Sequence, residues 1–274
     1  MALQNFVSIS GISNRIQLQE IYKICQGEIF DFPIVVGYQV SNKSINLGTQ
    51  NPRQPKFLDL GDLNVETLSY GFIPAIHYYT KDNSTVLDDL EKIAGLRVLD
   101  LGSLLQFNTL PLPIEILREV KKTGLEIIFK VAVSNKQTPQ GGYAVWKGKE
   151  VQDIKNGEIM PLITQVQERK DFIDYVMFDP SHGTNLDLDL NEKSLAVRFG
   201  REIISIKDLN HLGLVYAGGI KPNNVGRVAR TLFSFFPARV SIDIESGVRD
   251  GKNRFDLNLV RAYLVNFREA VQDS

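Results

Sequence analysis

Eight short apolar segments alternate with amphipathic segments along almost the whole chain. The apolar segments are rich in Val and Ile and nearly continuous, which is typical of parallel strands buried on both faces. In a chain of 274 residues, this alternation predicts an α/β fold, a single (βα)8 TIM barrel with a closed eight-stranded parallel sheet inside a layer of helices. The predicted strands are 5–10, 33–40, 73–79, 97–101, 126–134, 175–179, 213–218 and 239–244.

Amphipathic runs with helical spacing lie between these strands. Pro113 and Pro222 stand near helix starts, and Gly95 and Gly124 follow helices as caps would. No linker composition or fixed-period repeat indicates a second domain, so we predict one domain over residues 1–274. The predicted helices are 16–25, 85–93, 113–122, 162–170, 192–204, 222–235 and 257–271.

Two segments are longer than the other connections, and their sequences leave their roles open. Residues 41–68 are polar and contain Pro52 and Pro55, so we expect a loop insertion followed by a short helix. Residues 135–158 follow the fifth strand and contain Gly141, Gly142 and the chain's one tryptophan. This segment is interpreted either as a lid over the catalytic face or as a solvent-exposed excursion.

Composition narrows the function classes. A formal net charge of -1 favours neither nucleic acid nor an acidic membrane surface as a partner. No stretch approaches the length of an apolar membrane span, and the first residues lack the pattern of a signal peptide, so we predict a cytoplasmic protein. One cysteine and three histidines give no metal-ligand spacing, and the glycines fit neither a P-loop nor a dinucleotide fold. We therefore predict no metal and no cofactor; the oligomeric state stays open.

Two glycine-containing turns near the end of the chain predict an anion site. Gly218 and Gly219 follow the seventh strand, and Ser246 and Gly247 follow the eighth. Glycine lets the backbone approach a ligand, and a helix N-terminus beyond it offers free N–H groups. Loops after the seventh and eighth strands of such barrels frequently hold a phosphate. We therefore assign phosphate binding to these four residues.

Strand alternation also predicts a polar upper interior of the barrel. Successive side chains of a strand face opposite sides, so the residues between the apolar ones point inward. A purely structural barrel would fill this space with Val, Ile and Leu, so the polar set indicates an active-site cavity; a structural Lys–Asp ion pair is the alternative. His77 also ends a strand, and its role is either structural or catalytic. The inward polar residues are Ser8, Ser10, Lys130, Asp179, Asp243 and Glu245.

Residues 217–225 read Ala-Gly-Gly-Ile-Lys-Pro-Asn-Asn-Val, and 243–248 read Asp-Ile-Glu-Ser-Gly-Val. Together they resemble phosphoribosylanthranilate isomerase, a barrel enzyme of tryptophan biosynthesis, whose blocks read Ala-Gly-Gly-Leu-x-Pro-x-Asn-Val and Asp-Val-Ser-Ser-Gly-Val-Glu. The resemblance implies an Amadori isomerisation of a phosphorylated ribose derivative, with Asp179 as the general acid. It also implies substrate contacts from the residues that stand at the family's binding positions, which are Gly11, Lys43, His182, Gly183 and Thr184.

The start of the chain departs from the family pattern at the general base. The family opens with Lys-Ile-Cys-Gly-Ile, whereas this chain has Ser-Ile-Ser-Gly-Ile, so Ser10 stands at the position of the catalytic cysteine. A serine hydroxyl needs an adjacent base to do comparable work. Lys130 and Asp243 are the two candidates for a replacement base. The family's fourth strand ends Gln-Leu-His-Gly, and at 99–102 only the glycine is kept.

Three functions follow as hypotheses. The first is an isomerase acting on a phosphorylated ribose derivative, with a small phosphorylated sugar as its partner. The second is a catalytically inactive barrel that binds a phosphate ester. The third is another phosphosugar enzyme, in which Lys130 forms a Schiff base.

Overall fold

A computed structural model describes residues 5–27, 32–48, 51–96, 103–108, 112–131, 133–134, 143–147, 150–154, 158–180, 187–237 and 239–272. Its central element is a closed barrel in which every neighbouring pair of strands is parallel. The eight barrel strands are β1 (Val7–Ser10), β2 (Ile34–Ser41), β3 (Ile73–Tyr79), β4 (Leu104–Phe107), β5 (Glu126–Lys130), β9 (Tyr175–Phe178), β10 (Gly213–Tyr216) and β11 (Val240–Ile244). The predicted (βα)8 fold is therefore confirmed.

Helices separate the strands in the chain. Local sequence signals start several of them: the Asn14 side chain accepts a hydrogen bond from the Gln17 amide, and Ser194 accepts one from Val197. Pro222 begins its helix at a position that needs no N–H. The helices are α1 (Arg15–Gln26), α2 (Asn42–Leu47), α3 (Leu60–Ser69), α4 (Val86–Gly95), α5 (Ile114–Lys121), α6 (Met160–Gln167), α7 (Leu195–Ser205), α8 (Pro222–Phe235) and α9 (Leu257–Gln272).

The fourth barrel strand is not where the sequence predicted it. Residues 97–101 lie outside the described part of the chain, and β4 is formed by Leu104–Phe107, which pairs with β3 and β5. The prediction was wrong because strands were recognised as continuous apolar runs. Gln106 interrupts this strand, yet it faces the polar upper interior, where a polar side chain is accommodated.

The two long segments contain regular structure. Residues 41–68 hold α2, a 3-10 turn at Phe57–Asp59 and most of α3, which agrees with the expected insertion before a short helix. Within 135–158, β7 (Tyr143–Lys147) and β8 (Glu150–Ile154) pair as an antiparallel hairpin, and β7 also pairs with β6 (Val133–Ser134). This small sheet extends from the end of β5.

Apolar packing divides into two layers. The larger cluster joins the outward faces of the strands to the helices. A smaller cluster packs inside the barrel and contains Phe6, Val35, Ala75, Leu104, Ile128, Tyr175, Met177, Val215 and Ala217. Among the described residues, no helix combines the length and apolarity needed to span a bilayer.

Candidate active site at the barrel mouth

The barrel mouth, defined as the C-terminal ends of the eight barrel strands, has a polar lining. Ala75, Leu104, Ile128, Met177 and Val215 pack in the lower interior. Because strand side chains alternate, the residues two positions later share the same inward face, one layer closer to the mouth. These residues are His77, Gln106, Lys130, Asp179 and Ala217.

The register between β11 and β1 completes this lining. Ser8 pairs with Asp243, and both side chains are buried. Asp243, Ser8 and Ser10 face inward as predicted, because the Ser10 hydroxyl donates to the Asp243 carboxylate over 2.6 Å and lies 3.3 Å from the Ser8 hydroxyl. Burial raises the pKa of Asp243, although the nearby His77 and the hydroxyls of Ser10 and Ser8 act in the opposite direction.

Lys130 and Asp179 form an ion pair at the ends of β5 and β9. The Lys130 Nζ lies 2.5 Å from the Asp179 Oδ2, and the side chains are only 16% and 13% exposed. The Lys130 amino group is held in this contact with a carboxylate, whereas a Schiff base requires a free amine. Asp179 accepts a hydrogen bond from Lys130 in this contact, so the two side chains act as a pair.

His77 contacts Ser10 at the end of β1, a contact that the sequence did not predict. Its Nε2 lies 3.3 Å from the Ser10 Oγ, and the ring is 3% exposed. Burial lowers the pKa of His77, while Asp243 and Glu245 raise it and Lys130 lowers it further. Sequence position alone placed His77 at a strand end but did not reveal its partner.

The two glycine turns lie after β10 and β11. Gly218 and Gly219 have φ angles of 97° and 64°, a left-handed backbone that favours glycine. Gly247 packs against the backbone carbonyl of Ile220, leaving no room for a Cβ. The two turns therefore touch backbone to backbone, and Ser246 and Gly247 begin a 3-10 turn there.

The turn after β10 leads directly into α8. The Asn224 side chain ties this junction by accepting from the Lys221 amide at 2.8 Å and donating to the Gly219 carbonyl at 3.0 Å. Pro222 stands at the first helical position. The geometry gives the Gly218–Gly219 turn a fixed relationship to the N-terminus of a helix of 14 residues.

Two arginines that the sequence analysis missed hold the neighbouring loops. Arg53 lies 2.6 Å from Glu245 and also donates to the Asn253 side chain. Arg249 donates to the Gly11 carbonyl at 2.7 Å. Gly11 has a φ of 83°, and its carbonyl is thus engaged by the protein itself. No periodic pattern marks these arginines, because each acts from a loop.

The remaining predicted substrate residues are placed differently. Lys43 is an exposed residue of α2, while His182, Gly183 and Thr184 lie outside the described residues. Lys43 borders a cavity of about 340 Å³ at the ends of β2 and β3, which is also lined by Ser41, Asn42, Asn51, Gln54, Tyr79, Thr80, Lys81 and Asp82.

Gln106, Phe107 and Asn108 stand at the end of β4. The Gln106 amide donates to the Asn108 side chain at 2.8 Å. Among the described residues, no group of three or more His, Cys, Asp or Glu side chains could hold a metal ion.

Comparison with known proteins shows a likeness of fold. No protein-family model matches the chain, and no curated protein matches it. Phosphoribosylanthranilate isomerase from Thermotoga maritima superposes with a TM-score of 0.59 at 16% identity, covering 97% of this chain and 99% of that one.

Two further structures give the same result. A phosphoribosylanthranilate isomerase in complex with reduced 1-(o-carboxyphenylamino)-1-deoxyribulose 5-phosphate has a TM-score of 0.59 and 16% identity, with coverage of 97% and 99%. The enzyme from Thermus thermophilus has a TM-score of 0.58 and 14% identity, with coverage of 96% and 98%. The chain therefore has a divergent barrel fold like that of these isomerases.

Proposed function

We propose that this protein binds a phosphorylated ribose derivative at the barrel mouth and isomerises it from an aldose to a ketose form. The observation that carries the proposal is the arrangement around β10. Asp179, directly after β9, and Asp243 on β11 flank this strand, and the residue that follows it is the small Ala217. The Gly218–Gly219 turn follows immediately, so a sugar phosphate held there would present its carbon chain to both carboxylates.

The phosphate is assigned to the touching turns after β10 and β11. Backbone N–H groups of Gly218, Gly219, Ser246 and Gly247 and the N-terminal end of α8 would supply donors and a positive dipole end. The left-handed φ angles of Gly218 and Gly219 support a backbone shaped for close approach. A likeness to a barrel solved with a ribulose 5-phosphate derivative agrees with this class of ligand.

The acid step is assigned to the Asp179–Lys130 pair acting together. Isomerisation begins when an acid protonates the ribose ring oxygen and the ring opens. In this pair, the Lys130 ammonium would deliver the proton, while Asp179 holds the ammonium in place over 2.5 Å. Asp179 thus takes part in the acid step, as the family resemblance implies, while Lys130 donates the proton.

The base step is assigned to Asp243. Proton removal from the carbon next to the imine needs a base that is not too weak at neutral pH. Burial raises the pKa of Asp243, which strengthens the carboxylate as a base. The Ser10 hydroxyl orients this carboxylate from 2.6 Å; its role is to position the base.

Steady-state conversion of phosphoribosylanthranilate by the purified protein tests the proposal. We expect turnover that falls about 10²–10⁴-fold in Asp243→Asn and in Lys130→Met. Asp208→Asn is the matched control, because Asp208 is exposed and pairs with Lys170 far from the mouth. Complementation of a tryptophan auxotroph gives the same answer in cells.

A catalytically inactive phosphate-ester-binding barrel is the second candidate. Two observations favour it: serine replaces the family's thiol, and Asp179 is engaged by Lys130. Binding of ribose 5-phosphate without conversion of phosphoribosylanthranilate would establish this candidate and reject the isomerase. Absence of both binding and turnover would reject the phosphate site as well.

A further inference from the structure

Three polar side chains from three different strands form a buried chain at the mouth. Ser10 is 0% exposed, His77 3% and Asp243 8%. Ser10 lies in the middle, at 2.6 Å from the Asp243 Oδ1 and 3.3 Å from the His77 Nε2. Buried polar groups are costly unless they are hydrogen-bonded, and Ser10 supplies a hydrogen-bond partner to both Asp243 and His77.

Gly37 makes the contact between Ser10 and His77 possible. Ser10 belongs to β1 and His77 to β3, and β2 runs between them, with Gly37 beside Ser10 and Gln39 beside His77. A Cβ on Gly37 would overlap both the Ser10 hydroxyl and the His77 Nε2. Glycine weakens a strand interior by about 0.5–1 kcal/mol relative to alanine. Because Gly37 has no side chain, the side chains of Ser10 and His77 can meet although β1 and β3 are not neighbouring strands.

The Ser10 hydroxyl has one hydrogen, which it can donate either to Asp243 or to His77. When Asp243 is ionised, Ser10 donates to it and can only accept from the His77 Nε2–H. When Asp243 is protonated, it can donate to Ser10, whose own hydrogen then points to a deprotonated Nε2. Besides one another, His77 and Asp243 both face Glu245, and His77 also faces Lys130.

We propose that His77 is a proton-relay residue, joined to Asp243 through the Ser10 hydroxyl. The origin of the proton rests on the proposed function. The substrate C–H bond breaks, and its proton binds the Asp243 carboxylate. With His77 neutral and its proton on Nδ1, Asp243 then passes a proton to the Ser10 oxygen as the Ser10 proton moves to the unprotonated His77 Nε2. Ser10 is regenerated, Asp243 is a carboxylate again, and His77 carries the proton as an imidazolium until the reverse transfer returns it.

Nitrogen-15 NMR of the histidines in the full-length protein tests the relay without using activity. The charge of Asp243 favours the imidazolium, so Asp243→Asn should lower the titration midpoint of His77. If Ser10 transmits the coupling, this shift should be smaller in a Ser10→Ala background. Equal shifts in both backgrounds would show a direct charge effect and overturn the relay. His211, which contacts the Lys170 carbonyl, is the internal control and should not respond.

A second variant separates the side chains without removing them. Gly37→Ala should push Ser10 and His77 apart and change the His77 tautomer signals as Ser10→Ala does. Gly95→Ala is its control, because a Cβ there meets no atom within 4 Å. If Gly37→Ala folds and the His77 signals match those of the wild type, the proposed contact is wrong.

An activity measurement adds the catalytic consequence. His77→Gln should lower kcat for the isomerisation about 10²-fold with KM unchanged. If the wild-type protein shows no turnover, the proposed function fails, while the NMR couplings still decide whether the relay exists. Normal kcat in His77→Gln would remove His77 from the reaction.

Discussion

The Arg53 guanidinium, on the loop between α2 and α3, lies 2.6 Å from the Glu245 carboxylate at the end of β11. Arg53 also donates to the Asn253 side chain at 2.5 Å, so one side chain joins the loop after β2 to the loops after β11. These loops lie on either side of β1. The contact therefore fixes the mouth of the barrel next to Ser246 and Gly247.

Arg53→Met should loosen this connection. The two side chains are 29% and 25% exposed, so solvent screens the pair and we expect a loss of only about 1 kcal/mol in the free energy of unfolding. Hydrogen exchange should accelerate at the Gln54 amide, which bonds to the Asn51 carbonyl. Lys23→Met, which removes an exposed pair within α1, is the control. Unchanged exchange at Gln54 would show that Arg53 does not order its loop.

The Lys130–Asp179 pair should contribute more strongly to stability, because both side chains are largely buried. Lys130→Met leaves an uncompensated carboxylate, and we expect a loss of about 2–4 kcal/mol. Asp179→Asn should cost a similar amount, and the double variant less than the sum of the two. Urea unfolding measures these values. Lys122→Met removes the exposed contact with Glu119 and should cost about 0–0.5 kcal/mol; equal losses at both sites would contradict the burial argument.

Gly219→Ala should weaken ligand binding beyond its effect on stability. Gly219 and Gly48 have nearly equal φ angles of 64° and 62°, so alanine should introduce similar backbone strain, about 1 kcal/mol, at either position. Gly48 follows α2, away from the turn after β10. Calorimetry with ribose 5-phosphate should show at least about 10-fold weaker binding for Gly219→Ala and unchanged binding for Gly48→Ala. If Gly219→Ala and Gly48→Ala bind ribose 5-phosphate with equal affinity, the phosphate does not bind at the turn after β10.

Stability should depend on pH through Asp243. Because burial raises the pKa of Asp243, the folded chain holds this proton more tightly than the unfolded chain. The resulting stabilisation is complete below the ordinary value of 3.8 and is lost as pH rises through the folded pKa. Asp243→Asn lacks this loss. Its stability relative to the wild type should therefore increase as pH rises above the ordinary value of 3.8 and through the folded pKa of Asp243.

His77 should show the opposite dependence. Burial lowers the pKa of His77 below its ordinary 6.5, so its stabilisation is present above that value and is lost as pH falls through the folded pKa. His77→Gln should therefore gain stability relative to the wild type as the solution is acidified below about pH 6.5. Urea unfolding at several pH values measures both slopes. A parallel pH dependence of wild type and variant would contradict the assignment for that residue.

The local sequence predicted which faces of the strands point inward. The period of two along a strand is a local property, so Asp179 follows Met177 onto the inner face, and Asp243 follows Ser241. The same reasoning failed at β4, because Gln106 faces the polar upper interior and breaks the apolar run by which strands were recognised. Within 135–158 it predicted a loop, and the β7–β8 hairpin was missed.

Sequence by itself determined the barrel, the polar character of its upper interior and the glycine turns after β10 and β11. Only the tertiary structure decided which side chains are partners: Lys130 with Asp179, Arg53 with Glu245, and His77 with Ser10, which meet where Gly37 has no side chain. The physical reason is that alternation fixes the side to which a residue points. Strand register and barrel closure fix which residues meet, and these depend on contacts far apart in the chain.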